Sequence, residues 1–456
     1  MLQRRIGTTD GMRWALAVAL GSVLVSGCGS KGGSAPQETF DPLPAGGSGV
    51  AYIPCAEVGE VAVRIELPDS ARYPEGAPVV VHAATFFAGE KTFHRVFDTP
   101  RIGVIALSYL RPGTVDPATG HRSTGEQDFG GPLHLAALRD VIRFAGGSLA
   151  DLDGRTIQDW CGLAPEVGNV GLFASSHAGI VATNVMAHHG DRLSMLRYFV
   201  GRENPTRDEM YPLELGYFDA VRNQIYNPFY DASQYTRTTV EIDYERVGWI
   251  ENEIHPLGRP DFLDDQGRPL GLLHPEIVPR MWERRYYSRG LTQALHENGA
   301  LDTLDWPADL ATPRQTQEAW PFRTTVHNYG AIGVALPELR VLLTFATKDH
   351  VQAAPDKPHI RQAYDGFRKT AGLTWVRLNP DRAYALALDP SYGAQMPDNP
   401  ANEEPGTWME AESWGYPGVT AQTKYDLPVA GVAEMADRTR AGEWAYDLDA
   451  PLWEWP

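Results

Sequence analysis

The feature of this sequence that most constrains its fold is a repeated alternation of short apolar segments with helical segments. The apolar segments have the length and composition of buried strands, and they cover residues 78–82, 102–107, 169–174, 195–200, 340–345 and 374–378. Helical periodicity lies between them, most clearly over residues 133–144 and 178–188. Strands that alternate with helices usually pair in parallel, because the helix returns the chain to the same end of the sheet. The sequence therefore predicts an α/β fold with a mostly parallel central sheet flanked by helices.

Two regions interrupt this alternation. Residues 207–337 are rich in Tyr, Pro and charged side chains without a clean period, and we interpret them as a large insertion of the kind that forms a lid. Residues 385–456 are again irregular and form a C-terminal extension. The predicted core is thus divided between residues 51–206 and residues 338–384.

The N-terminus has the pattern of an export signal. Arg4, Arg5 and Arg13 precede an apolar run over residues 14–25 that is too short to span a bilayer. The run ends in Val25-Ser26-Gly27-Cys28, which resembles the lipobox of bacterial lipoproteins. The resemblance implies a signal peptide and lipobox over residues 1–28, a lipid on Cys28 that anchors the chain to a membrane, and a flexible Gly- and Pro-containing tether over residues 29–50.

The residue after Cys28 and the overall charge bear on location and partners. Gly29 is not the aspartate that signals inner-membrane retention, so the resemblance implies a cell-envelope protein, on the outer membrane if the cell is Gram-negative. The formal net charge of −18 argues against nucleic acid, because nothing would neutralise the phosphates. The sequence indicates no metal or other cofactor, and it gives no indication of oligomeric state.

Two cysteines remain if Cys28 carries a lipid. Disulfides persist outside the cytoplasm, so Cys55 and Cys161 form a disulfide or remain two separate buried thiols. The sequence alone leaves both alternatives open.

A serine-containing turn carries the candidate chemistry. Ala174-Ser175-Ser176-His177-Ala178-Gly179 falls between a predicted buried strand and a predicted helix. Such a turn must be lined by small residues when it presents a serine in a strained conformation, and its position between strand and helix favours a nucleophile. The alternative is an ordinary helix N-cap formed by Ser175 or Ser176.

These segments resemble the α/β-hydrolase superfamily in their order along the chain. The turn at Ser176 resembles the family's nucleophile elbow, with alanines in place of both glycines. Residues 79–84 resemble the strand and loop that carry the oxyanion motif, so the resemblance implies that backbone N–H groups of His177 and of Ala83 or Ala84 form the oxyanion hole.

The resemblance also implies an acid and a base. Residues 342–351 resemble the late strand that delivers the family's aspartate, which would be Asp349, and Glu203 is the alternative acid after the preceding strand. The family's histidine follows the last strand, but this chain has no histidine beyond His359. His359, His327 and His121 are the candidate bases from elsewhere in the chain.

The resulting hypothesis is an extracytoplasmic, lipid-anchored serine hydrolase of the esterase or peptidase type, in which Ser176 attacks a small-molecule or peptide substrate. The missing C-terminal histidine leaves one alternative: a catalytically inactive, hydrolase-like lipoprotein that binds a ligand or a cell-envelope partner.

Overall fold

The computed structural model of this 456-residue chain describes residues 40–85, 92–93, 95, 97–206, 217–218, 224–225, 247–250, 259–262, 266–267, 318–322, 324–345, 358–388 and 423–445. Contacts divide the chain into Met1–Asp41 and Pro42–Pro456, and the fold below belongs to the second unit. None of the helices within these ranges is both long enough and apolar enough to cross a bilayer. The predicted signal peptide, Cys28, most of the predicted tether, Asp349 and most of the predicted insertion lie outside the described residues.

An eight-stranded sheet forms the centre of the protein, as the sequence predicts. Its strands are β1 (Ser48–Cys55), β2 (Gly59–Glu66), β3 (Ala77–His82), β4 (Ile105–Tyr109), β5 (Pro165–Ser175), β6 (Leu196–Arg202), β11 (Arg340–Thr344) and β12 (Trp375–Leu378). They lie in the order β1-β2-β4-β3-β5-β6-β11-β12. In this sheet β2 pairs antiparallel with both of its neighbours, and all the pairs from β4 to β12 are parallel.

The central strands explain the apolar runs in the sequence. Every residue of β3 is buried, and Val79, Val80 and Val81 are fully inaccessible. A strand with helices over both faces has no solvated side, so its sequence lacks the alternation of a half-exposed strand. Insertion residues add two short antiparallel pairs, β7 (Tyr217–Phe218) with β8 (Gln224–Ile225) and β9 (Val247–Ile250) with β10 (Arg259–Phe262).

Helices connect and cover the strands. They are α1 (Pro132–Ala145), α2 (Ile157–Trp160), α3 (Ala178–His189), α4 (Tyr329–Ala335), α5 (Pro358–Asp365), α6 (Arg382–Leu388) and α7 (Thr423–Ala441). Short 3₁₀ turns cover Pro100–Ile102, Gly190–Arg192 and Trp320–Phe322, and a π-helical segment covers Gly366–Thr370. In a parallel sheet the helix after each strand begins at the carboxyl end of that strand, so α3 and α5 both begin at the same end of the sheet.

The C-terminal extension contains a helix that its irregular sequence does not predict. Helix α7 packs on the sheet, where Val429, Val432 and Met435 join the core. Its Glu434 is completely buried and accepts hydrogen bonds from Arg377 and Arg438, each at 2.8 Å. Asp437 of the same helix binds the guanidinium of Arg72. Helix α7 therefore covers part of the sheet.

The two cysteines of the folded unit are free thiols. Cys55 ends β1, Cys161 follows α2, and both are buried. The disulfide that the sequence left open is not formed in the structure, which has the alternative of two separate buried thiols.

Candidate active site

Ser176 occupies a strained turn at the carboxyl end of β5. The strand ends at Ser175, α3 begins at Ala178, and Ser176 between them has a φ of +52°. This left-handed conformation is uncommon for a residue with a side chain, and it costs about 1–3 kcal/mol unless the surroundings impose it. Ser176 is half-buried, whereas its neighbours Ala174 and His177 are buried. The turn thus leaves the Ser176 side chain partly accessible at the end of a packed strand.

The alternative of a serine N-cap does not describe this turn. His177 is the N-cap residue of α3, its backbone is helical with φ −58° and ψ −21°, and no side chain caps the helix. The Ser176 hydroxyl lies 3.5 Å from Nδ1 of His177, which is a long contact for an oxygen–nitrogen hydrogen bond. The strain at Ser176 is therefore not explained by helix capping.

Backbone and side-chain hydrogen bonds hold the turn against the next strand. The Ser176 N–H donates to the Arg202 carbonyl at 2.7 Å, which extends the pairing of β5 with β6 beyond Ser175. The Asn204 side-chain amide donates to the Ser176 carbonyl at 2.8 Å. The end of β6 thereby fixes the position of the turn.

A carboxylate that follows the neighbouring strand β6 meets an imidazole. Glu203 follows β6, directly after the residue that pairs with Ser175, and its own φ is +44°. His359 is the second residue of α5. His359 Nε2 lies 2.8 Å from Glu203 Oε2, and the two side chains are 0% and 3% exposed. The structure therefore pairs the alternative acid with one of the three candidate bases.

The other two candidate histidines lie elsewhere. His121 Nδ1 is 2.8 Å from the Tyr52 hydroxyl, on the outermost strand β1. His327 is exposed in the turn that precedes α4.

The amides expected to form the oxyanion hole are not equivalent. The Ala83 N–H donates to the Phe173 carbonyl at 2.9 Å, which continues the pairing of β3 with β5. The sheet therefore already uses the Ala83 N–H, which leaves Ala84 as the other member of the predicted pair. The Ala84 N–H makes only a long contact of 3.4 Å with the Tyr109 hydroxyl. Ala84 is the remaining donor of that pair, and His177 is the N-cap residue of α3.

Three buried polar residues near this end of the sheet were not predicted from the sequence. The Tyr109 hydroxyl lies 2.7 Å from Nε2 of His134, at the end of β4 and the start of α1. Asn204 is the third of these residues. No short-range pattern marks these residues, because each meets its partner only through the sheet topology.

The loop after β12, where the family carries its histidine, begins with Asn379. The Asn379 N–H donates to the Leu343 carbonyl at 2.8 Å, and its side-chain oxygen accepts from the Phe345 N–H at 3.0 Å. Its φ is +59°. This residue ties the ends of β11 and β12 together and supplies no imidazole.

One group of described residues has the composition of a metal site. Ligand atoms of Cys55, Glu57 and Asp140 lie within 4.8 Å of one another. The Arg139 guanidinium contacts both carboxylates, with distances of 2.8 Å to each oxygen of Glu57. Burial, followed by the nearby Asp140, raises the pKa of Cys55 to about 12. A protonated thiol and arginine-bound carboxylates suit an ion-pair cluster better than a metal centre.

Known proteins give structural likenesses without a sequence match. No family model matches the chain, and no curated protein matches it in sequence. Brefeldin A esterase, a bacterial homologue of human hormone-sensitive lipase, is similar with 11% identity, 90% of this chain and 81% of that chain covered, and a TM-score of 0.42. Dipeptidyl peptidase 4 from Porphyromonas gingivalis has 9% identity, 74% and 32% coverage and a TM-score of 0.35. Prolyl oligopeptidase B from Galerina marginata has 8% identity, 86% and 37% coverage and a TM-score of 0.39. The chain spans about a third of the length of these two peptidases.

The order and direction of this chain's own strands define its class. An antiparallel second strand, a parallel run from β4 to β12 and a serine with positive φ between β5 and α3 are the features of the α/β-hydrolase fold. The predicted resemblance at the level of fold is therefore confirmed.

Proposed function

We propose that this protein is a serine hydrolase that cleaves an ester or amide bond, with Ser176 as its nucleophile. The observation that carries this proposal is the left-handed conformation of Ser176 at the end of a central parallel strand. A left-handed backbone is unfavourable for a residue with a side chain, and strain of this kind concentrates at functional sites.

The proposed chemistry assigns the base to His359 and the acid to Glu203. Ser176 Oγ attacks the carbonyl carbon while its proton passes to the imidazole, and the carbonyl oxygen becomes an oxyanion bound by the N–H groups of His177 and Ala84. The imidazolium then gives the proton to the leaving group, and water releases the acyl group from Ser176 by the same steps. Glu203 is suited to stabilise the imidazolium because its carboxylate already binds the ring at 2.8 Å.

We further propose that the enzyme acts outside the cytoplasm and is anchored by a lipid on Cys28, on the outer membrane if the cell is Gram-negative. The support is the sequence pattern of residues 1–28. Metabolic incorporation of a labelled fatty acid tests it, and we expect incorporation in the wild type and none in Cys28→Ala. Equal incorporation in both would contradict lipidation at Cys28.

The alternative function, an inactive hydrolase-like protein that binds a ligand or cell-envelope partner, is favoured by Asn379. This residue begins the loop that carries the catalytic histidine in the family, and its side chain is used to hold the Phe345 N–H. If His359 cannot receive the Ser176 proton, the hydroxyl stays unactivated at neutral pH.

Covalent labelling with a fluorophosphonate distinguishes the two functions. The full chain, purified in detergent, is treated with the probe and the modified peptide is identified by mass spectrometry. We expect labelling of the wild type on Ser176 and none in Ser176→Ala. Ser148→Ala is the matched control, because Ser148 is exposed and its hydroxyl only contacts the Arg143 carbonyl after α1. Folded wild type that does not react would contradict the hydrolase and favour the binding protein.

A further inference from the structure

The side chain of Asn204 connects three backbone segments at the proposed nucleophile. Its Nδ2, which carries two protons, lies within hydrogen-bonding distance of three carbonyls: Ala174 at 3.1 Å, Ser176 at 2.8 Å and Arg202 at 3.1 Å. These carbonyls belong to the end of β5, the strained turn and the end of β6. Asn204 is 5% exposed, so water does not replace these hydrogen bonds.

Two glycines make room for this side chain. A Cβ on Gly179, in the first turn of α3, would lie 2.3 Å from Asn204 Cβ. A Cβ on Gly201, near the end of β6, would lie 2.2 Å from Asn204 Oδ1. Non-bonded atoms do not approach each other this closely, so both positions are restricted to glycine while Asn204 is present.

We propose that Asn204 is a positioning residue that holds Ser176 in its strained, reactive conformation; this inference rests on the hydrolase function proposed above. The left-handed turn is unfavourable by itself, and the backbone of Ser176 relaxes unless its peptide groups are fixed. One Ser176 peptide group is fixed by the N–H bond to Arg202, and the next is fixed by the bond from Asn204 to the Ser176 carbonyl. Removing the amide removes the second restraint and shifts the hydroxyl relative to the base and the oxyanion donors.

The first test compares Asn204→Ala with Asn169→Ala in the full chain. Asn169 is a matched control because it is 3% exposed, lies in β5 five residues before Ala174, and donates its amide to the Ala436 carbonyl at 3.0 Å. The rate of fluorophosphonate labelling is measured against probe concentration. In Asn204→Ala we expect the maximal rate constant to fall about 10- to 100-fold, as displacement of a reacting group does, with little change in the half-saturating concentration. Asn169→Ala should lose thermal stability without this loss of rate.

The second test uses the close contact of Gly201 with Asn204. Gly201→Ala should lower the melting temperature by several degrees in the wild type and by clearly less in Asn204→Ala, because the colliding oxygen is then absent. Labelling should stay slow in the double variant, since the amide donors are still missing.

The outcomes separate the two proposals. Wild type that labels on Ser176 together with equally fast Asn204→Ala, or equal slowing by Asn169→Ala, would overturn the role of Asn204 alone. Folded wild type that never labels would overturn the hydrolase function, and the positioning role would fall with it.

Discussion

The Glu203–His359 pair gives the sharpest prediction about the proposed mechanism. Glu203→Gln keeps the size of the side chain and removes its charge. In the proposed mechanism the partner imidazole accepts the Ser176 proton and becomes a cation in the transition state. The substitution therefore acts mainly on the transition state, where the charge of the carboxylate matters most.

The expected magnitude follows from the geometry of the pair. His359 Nε2 and Glu203 Oε2 are 2.8 Å apart, and both side chains are almost inaccessible to solvent. Two unit charges separated by about 4 Å attract each other by about 4 kcal/mol at an effective permittivity of about 20. Loss of that attraction slows the reaction roughly a thousandfold, since each 1.36 kcal/mol is a factor of about ten.

The assay is the rate of fluorophosphonate labelling of Ser176 in samples shown to be folded by circular dichroism. Glu166→Gln is the matched control, because Glu166 lies near the other end of β5 and pairs with Arg440 at the surface. Asp349→Asn tests the acid that the sequence ranks first. A Glu203→Gln rate within about threefold of wild type, together with a slow Asp349→Asn, would refute our assignment and identify Asp349 as the acid.

Three further predictions concern groups away from Ser176. Burial raises the pKa of both Cys55 and Cys161 to about 12. In the Cys28→Ser variant at pH 8 we therefore expect neither thiol to react with a maleimide until the chain is denatured. A disulfide would instead prevent labelling even after denaturation without reductant. Glu434→Ala removes a fully buried carboxylate from Arg377, which is 2% exposed, and should lower the free energy of unfolding in urea by about 3–5 kcal/mol. The control is Glu338→Ala, because the Glu338 side chain is 82% exposed in its pair with Arg340, and it should change the free energy of unfolding by less than about 1 kcal/mol. Equal losses in the two variants would contradict the importance of burial. Hydrogen bonding to Arg139 lowers the pKa of Glu57 from 4.5 to about 2, so this carboxylate contributes stability above about pH 4.5 that is lost as the pH falls toward 2. Between pH 5 and pH 2.5 the melting temperature should therefore fall less steeply in Glu57→Gln than in the wild type. An unchanged slope would contradict a stabilising role for the Glu57–Arg139 pair.

The sheet could be predicted from the sequence because its central strands are buried on both faces. Burial of this kind demands a continuous run of apolar residues, and Val79–Val81 in β3 form such a run. Helix α7 gave no such signal. Its interior contains Pro428, and its core-facing side includes Glu434, whose charge is balanced by an arginine on β12. A helix that buries a paired charge has no clean apolar face, so periodicity does not reveal it.

The candidate site likewise has one part that the sequence predicts and another part that it does not. The position of Ser176 could be predicted because a strand, a turn and a helix are local features of the sequence. Its surroundings could not, since Glu203 and His359 are 156 positions apart and meet only after β6 and β11 have paired. The Ala83 N–H also illustrates the limit of local motifs: the family motif indicates a donor at Ala83 or Ala84, and only the pairing of β3 alongside Phe173 shows that the Ala83 proton is used by the sheet.

The topology of this fold offers another position for a histidine in a chain that has none after β12. A helix that follows a parallel strand begins at the carboxyl end of that strand, which is also where Ser176 and Glu203 lie. Helix α5 follows β11 in the sequence, and its second residue is His359, so the connection after β11 brings an imidazole to this end without using the loop after β12. That loop is then available for another task, and Asn379 uses it to tie β12 to the end of β11. The histidine's place in the chain order can therefore change while the end of the sheet that receives it stays the same. For this reason the geometry of the Glu203–His359 pair is a stronger guide to the base than the order of motifs along the chain.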